Sequence, residues 1–144
     1  MNLIDGKYTI GNVAKLLSVS PGTLRHYEEK GLISPMSKTI AGYRLYNERD
    51  INQIRFIKQA QAHGLKLSEI KELLVLKQKG SSNCQDVHAL MIKKKQGIEQ
   101  RLTTLYATLN ALTGLIEKCE GNKEERIKDC LIMYELENNQ NAEN

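Results

Sequence analysis

The chain has 144 residues, 40% hydrophobic and 26% charged, with 2 Pro, 10 Gly, 1 Phe and no Trp. One folded domain, or a small domain with an extension, fits that balance; wholesale disorder and a turn-rich β-sandwich do not. The net charge of +4 is uneven, since residues 1–80 carry 13 Lys/Arg against 7 Asp/Glu (+6) and residues 81–144 carry 8 against 10 (−2). The basic part suits a polyanion partner, and the other part needs a different job.

The first residues, MNLIDGKYTIG, lack the apolar core of a signal peptide. No apolar run reaches the roughly 18 residues that a membrane span needs. The expectation is a cytosolic (cytoplasmic) protein, with no membrane partner and with reduced thiols. The cysteines number 3 (Cys84, Cys119 and Cys130), an odd count that resists a simple intrachain disulfide scheme.

In chain order, Thr9 can cap a helix whose apolar positions Ile10, Val13, Ala14, Leu16 and Leu17 have helical spacing. Ser18-Val19-Ser20 breaks that pattern. Ser20 is a good N-cap, and Pro21 sits at the first helical position, where its missing N–H costs nothing. A second helix runs to about Lys30, and Gly31 ends it as a C′ glycine. The pair is either a helix-turn-helix or an ordinary αα-hairpin. Residues 32–46, with Pro35, Gly42 and the β-prone Tyr43-Arg44-Leu45-Tyr46, predict a hairpin or wing. Asn47 caps a third helix with Asp50 in its first turn and apolar Ile51, Ile54, Phe56 and Ile57, stopping near His63-Gly64. A fourth helix spans about 67–78, and Gly80-Ser81-Ser82 is the clear linker.

Ser82 and Gln85 form a capping-box pair for a long helix, with Asn83 as an alternative cap. Its only predicted breaker before about Lys118 is Gly97. Met91, Ile98, Leu105 and Leu112 fall seven apart, and Leu102, Leu109 and Ile116 form a second row. Rows alternating by three and four make a coiled-coil seam that nothing in the same chain covers, so the helix is expected to pair with its copy in a homodimer. His88 and Lys95 occupy seam positions, where polar residues set register. Beyond Lys118 the chain is polar to Asp129. A short apolar patch, Cys130 to Tyr134, follows, and the tail 137–144 is expected to be disordered. The predicted divisions are 1–80, 81–118, 119–136 and 137–144.

Cys84 and Cys119 lie thirty-five residues, or five heptads, apart. At about 1.5 Å rise per residue they are roughly 50 Å apart along one helix and cannot share an ion within a chain. In an antiparallel dimer, Cys84 of one protomer meets Cys119 of the other, and Cys130, eleven residues on, can fold back to join them. That gives one three-thiolate site at each end of the dimer. Cys84 opens its helix, where the positive end of the dipole suits a thiolate, and thiolates prefer soft metals. The bland alternative is three small buried hydrophobes. A C-x-x-C zinc pair and the closely spaced ligands of an iron–sulfur cluster are absent. No nucleophile–base pair, glycine-rich phosphate loop or catalytic carboxylate pair stands out, so no enzyme is predicted.

These residues resemble the MerR family of bacterial transcription regulators over nearly the whole chain. The resemblance is carried by Ile10-Gly11-Asn12-Val13-Ala14-Lys15, by Thr23-Leu24-Arg25-His26-Tyr27-Glu28 with Gly31-Leu32, and by Gly42-Tyr43-Arg44-Leu45-Tyr46. Arg55-Phe56-Ile57, Gly64-Leu65 and Leu67-Ser68-Glu69-Ile70 complete it. His26 departs from the Tyr or Phe usual at its position. The resemblance implies a mainly α fold: a winged helix-turn-helix followed by a long antiparallel coiled-coil dimerisation helix. It implies a homodimer on a palindromic, double-stranded promoter with a long spacer, which holds the promoter inactive until inducer binds. Bound inducer then leads to bent and untwisted DNA, so that RNA polymerase can engage both promoter elements.

Position by position, Thr23, Arg25, His26 and Tyr27 would face DNA from the second helix, and Tyr43 and Arg44 from the wing. Glu28, Arg55 and Phe56 read as a packing ion pair and core. A Cys opening the long helix is similar to the divalent-metal branch, where the monovalent sensors carry Ser. The end Asp129-Cys130-Leu131-Ile132-Met133 is similar to the cadmium, lead and zinc sensors. The additional Cys and His of the zinc sensors are missing from residues 120–129. The implied effector is a soft divalent ion (cadmium, lead, mercury or zinc), held by Cys84 of one protomer with Cys119 and Cys130 of the other. Zinc would want a fourth ligand, for which His88, one turn beyond Cys84, is the candidate. The alternative function is a metal-sequestering or thiol redox-sensing dimer that binds DNA incidentally.

Overall fold

The computed structural model describes residues 3–4, 6–35, 37–80, 83–121 and 124–138. Two compact units divide it, Met1–Leu90 and Met91–Asn144.

In the first unit, strand β1 (Tyr8–Thr9) leads directly into helix α1 (Ile10–Leu17). Thr9 ends the strand and also caps the helix, its Oγ1 accepting from Asn12 N at 3.3 Å. Ser18 closes α1 in the left-handed region at φ 53°, its N–H donating to the Ala14 carbonyl. Helix α2 (Pro21–Glu29) starts as predicted, with Ser20 Oγ accepting from Thr23 N at 3.0 Å. Gly31 follows α2 at φ 71°, a conformation that carries no Cβ penalty for glycine.

Strands β2 (Ser37–Lys38) and β3 (Arg44–Tyr46) form the wing. The sheet order is β1-β3-β2, all antiparallel, with Tyr8 opposite Tyr46 and Lys38 opposite Arg44. The central wing strand is thus tied to the segment that opens α1. The predicted wing is present; β1 was not foreseen.

Helix α3 (Glu48–Ala62) carries a reciprocal capping box: Asp50 N donates to Asn47 Oδ1 and Asn47 N to Asp50 Oδ2, both at 2.9 Å. Helix α4 (Leu67–Lys79) begins with the Lys66 N–H donating to Glu69 Oε2 at 2.7 Å and ends at Gly80, φ 60°. Val13, Leu24, Tyr46, Ile51, Ile54, Ile57 and Ile70 are each 0% exposed. They come from four helices and one strand, so one core fixes all of them. Phe56 packs on its margin, half-buried, with Lys77 Nζ 5.2 Å from the ring centroid.

Three long side chains then lock the helix-turn-helix onto α3 and α4. Lys58 donates to the Leu17 carbonyl, Gln53 to the Leu32 carbonyl, and Lys71 to the Lys30 carbonyl at 3.3 Å. Each satisfies an orphan acceptor at or just past a helix end.

Helix α5 (Cys84–Cys119) is capped by Asn83, whose Oδ1 accepts from Gln85 N at 2.9 Å, the alternative of the two caps expected. Ser82 of the other pair, and residues 139–144 of the tail, lie outside the described residues. Gly114 as well as Gly97 sits inside α5, so the helix tolerates two glycines where one was expected. No residue of α5 is buried. Thr103, Thr104, Thr108 and Thr113 return their hydroxyls to the carbonyls four residues back, at 2.9–3.2 Å.

In the second unit, a short 3-10 turn (Ile127–Asp129) precedes helix α6 (Leu131–Asn138). An ion pair joins Lys118 of α5 to Glu135 of α6. Leu131, Met133, Tyr134 and Leu136 are exposed.

Candidate DNA interface and thiol sites

Helix α2 turns Leu24 and Tyr27, three apart, into the core and leaves Arg25 and His26 outside. This corrects one expected DNA contact. Tyr27 is 2% exposed, and its hydroxyl donates to Gln61 Oε1 at 2.5 Å. A phenol held that way packs and orients α3 against α2 and is not free to reach DNA; burial raises it above its ordinary range. Thr23 is half-buried, its hydroxyl 2.8 Å from Ser20 Oγ, so it serves the cap of α2. His26 is exposed, with Nδ1 3.9 Å from Glu29 Oε2.

The wing supplies the other wall. A tight turn closes it, Gly42 N donating to the Thr39 carbonyl at 2.9 Å with Gly42 at φ 87°. Thr39 Oγ1 accepts from Tyr43 N at 3.0 Å. Tyr43 is exposed, and Ile40 at the tip is fully exposed. Arg44 leaves β3 toward α2, where its Nε donates to Glu28 at 2.6 Å. That hydrogen bond and the carboxylate's charge raise the already high Arg44 value further, so the guanidinium is firmly cationic.

Between these walls lies an open recess of about 330 Å³, lined by Arg25, Tyr43 and Arg44 and by Thr9, Ile10 and Gly11 from the start of α1. Two cations and a tyrosine on one concave surface suit a phosphate backbone, where Arg supplies planar, multidentate donors. The start of α1 was not foreseen as part of this face. The signal for it was the Thr9 cap, which places α1's opening turn beside the wing once β1 pairs with β3.

The three cysteines are free thiols, Cys84 exposed and Cys119 and Cys130 half-buried. Cys84 is the first residue of α5 and Cys119 the last. Cys130 immediately precedes α6, its carbonyl accepting from Tyr134 N at 3.1 Å. Among the described residues of a single chain, no three His, Cys, Asp or Glu side chains converge as a metal would require. The helix itself explains this, since its length holds Cys84 and Cys119 apart. No helix among the described residues is long and apolar enough to cross a membrane.

Residues 8–77 match the family described as MerR HTH family regulatory protein, and residues 51–115 that described as MerR, DNA binding. The chain is 33% identical over 130 residues to a mercuric resistance operon regulatory protein of Bacillus cereus, covering 90% of this chain and 97% of that one. It is 31% identical over 131 residues to the HTH-type transcriptional regulator ZntR of Escherichia coli K12, covering 90% and 92%. Its fold matches the crystal structure of the transcription regulator PbrR691 from Ralstonia metallidurans CH34 in complex with lead(II), with a TM-score of 0.81, 26% identity, and 90% and 98% of the two chains covered. With a winged helix-turn-helix, a long helix after it and relatives matched over nearly their full length, the chain belongs to the MerR family of transcription regulators, which bind DNA and are not enzymes.

Proposed function

We propose that this protein is a metal-responsive transcription regulator that works as a cytoplasmic homodimer on double-stranded promoter DNA. Residues 1–80 bind the DNA, 81–118 pair the protomers, and 119–136 with Cys84 sense the metal. Arg25 and His26 from α2 and Tyr43 and Arg44 from the wing make the contacts to DNA, with Thr23 holding the start of α2.

The observation that carries this is the division of labour along one chain. A concave basic face formed by α2 and the wing precedes an uncovered helix with one free thiol at each end. Paired antiparallel, two such helices bring Cys84 of one protomer beside Cys119 and Cys130 of the other. Three thiolates on a divalent ion leave a net −1 charge and select soft metals. The relatives' names, mercuric resistance, PbrR691 bound to lead and ZntR, point the same way. The effector is therefore cadmium, lead, mercury or zinc. Metal binding at the dimer ends shifts the spacing and tilt of the two DNA-binding units. The promoter is bent and untwisted, and RNA polymerase engages it.

The test is transcription from a dyad-symmetric promoter carrying the protein's own binding sequence, titrated with lead, cadmium, mercury, zinc and copper(I). A soft divalent ion should induce and copper(I) should not. Absence of sequence-specific binding in a gel shift would return the metal-sequestering alternative.

A further inference from the structure

Arg44 is held by only one end of its guanidinium. Nε lies 2.6 Å from each carboxylate oxygen of Glu28, and the two terminal nitrogens make no hydrogen bond among the described residues. Glu28 stands on α2 and Arg44 on β3, so the contact spans the two elements that wall the recess. Glu28 is partly shielded and Arg44 more open, with side-chain exposures of 24% and 42%. A long flexible side chain is thereby fixed in one orientation while keeping its charge and two donors for an outside anion.

We propose that Glu28 is a positioning residue for DNA binding, which orients the Arg44 guanidinium so that its terminal nitrogens grip a backbone phosphate. A carboxylate beside a DNA-binding surface repels the duplex, so screening alone predicts that its removal tightens binding. Positioning predicts the reverse sign. Without Glu28, Arg44 loses its anchor and must be ordered again by each phosphate it meets. The same contact fixes the wing against the recognition helix, so its loss also loosens the spacing between Arg25 and Arg44.

The inference rests on Arg44 facing DNA, so the experiment measures both. The probe is the duplex that the full-length wild-type protein selects from a randomised double-stranded pool. Binding is followed over a salt series for wild type, Arg44→Ala, Glu28→Ala, Glu28→Gln and the Arg44→Ala/Glu28→Ala double variant. Thermal unfolding of each confirms that it is folded at the assay temperature. Arg44→Ala should weaken binding roughly tenfold and lower the salt slope by about one phosphate contact. Glu28→Ala should also weaken it, by about three- to tenfold, and flatten the slope although a negative charge has been removed. Glu28→Gln, which can still accept from Nε, should restore most of the affinity. In the Arg44→Ala background Glu28→Ala should cost nothing further. If Glu28→Ala binds as tightly as wild type or tighter, or costs the same factor with and without Arg44, the positioning role is wrong. If Arg44→Ala itself leaves affinity and slope unchanged, the assignment of Arg44 to DNA falls and takes Glu28 with it.

Discussion

The two ends of this chain solve the problem of hydrophobic burial in opposite ways. Residues up to α4 cover their own apolar side chains: Ile54 and its neighbours are sealed by four helices and a three-stranded sheet. In α5, none of 36 residues is buried, and its apolar rows, from Met91 at 36% exposure to Leu105 at 64%, stand open along one helix. The first region buries a core within one chain. The second has the seven-residue apolar repeat that the proposed pairing with another copy of the chain would cover. A regulator gains from that asymmetry. In the dimer proposed above, the DNA reader is a core made within one chain, while the sensing half would be built where two chains meet, so that a bound ion could change their fit.

The largest expected effect tests the open half. Leu109→Glu puts a charge into the middle of the seam, where burying it unpaired costs several kcal/mol in each protomer. Sedimentation should find monomers where wild type gives dimers, while far-ultraviolet dichroism retains the helices of the first unit. A dimer that survives Leu109→Glu would mean the protomers meet elsewhere. The complementary change, Ile54→Ala, removes packing from the closed half and should cost about 2–5 kcal/mol. It should lower the first unit's unfolding temperature at every protein concentration. If the loss instead faded with rising concentration, the two halves would not be independent in stability.

Metal stoichiometry separates them next. Cys84→Ser should abolish induction while leaving DNA affinity unchanged. Cys119→Ser should do the same. Mixed dimers of the two variants should recover about half the metal per dimer, because one end then holds a complete set of three thiolates. Thiolate-to-metal absorption in a titration with cadmium measures this directly. No recovery would mean that the ligands come from a single protomer.

Sequence legibility follows the same division. The caps at Thr9, Ser20 and Asn47 and the glycine at Gly31 were readable because each is decided within four residues by its own hydrogen bonds. Strand β1 was not, because two residues show no alternation and Thr9 already served the helix. Tyr27 was assigned to DNA by its place in the family pattern, whereas its spacing of three from Leu24 marked it as core. In the sequence Glu28 reads as half of a packing ion pair with Arg55, whereas the structure pairs it with Arg44, sixteen residues away on a different element and beyond the reach of a local pattern. Gly114 passed unnoticed because the apolar rows run past it on either side. The heptad phase of the thiols is legible in the sequence, and the convergence proposed for them rests on pairing two chains, which no local pattern within one chain carries.

Smaller effects probe the closed core. Tyr46 is 0% exposed, and its hydroxyl is the one buried side-chain polar atom without a partner among the described residues. Burial and the nearby Glu28 raise it above the ordinary 10.0. The fold therefore favours the neutral phenol. Its contribution is full below pH 10.0 and is lost as pH climbs through the raised value. Tyr46→Phe should be neutral or stabilising by up to about 1 kcal/mol at pH 7, because an unpaired hydroxyl is removed. It should also unfold less steeply with rising alkalinity, as read by denaturant melts between neutral pH and about pH 11. A loss of stability at pH 7 would reveal a partner for the hydroxyl.

The smallest effect lies in the turn between α1 and α2. Ser18 is the one non-glycine residue with positive φ among those described, at φ 53° and ψ 47°. A side chain there costs roughly 1 kcal/mol through contact of its Cβ with the following carbonyl. Glycine removes that contact but gives back part of the gain as extra freedom in the unfolded chain, so Ser18→Gly should stabilise by about 0.5 kcal/mol. Ser18→Val, with a branched Cβ, should destabilise by about 1–2 kcal/mol. The site lies next to the Leu17 carbonyl that Lys58 holds, and it is remote in sequence from the α5 seam. Both variants should therefore shift the unfolding of the DNA-binding unit alone and leave dimerisation and metal response where they were. A change in metal response from Ser18→Gly would mean that effector binding at the sensor is read through this turn, and the closed half could no longer be treated as rigid.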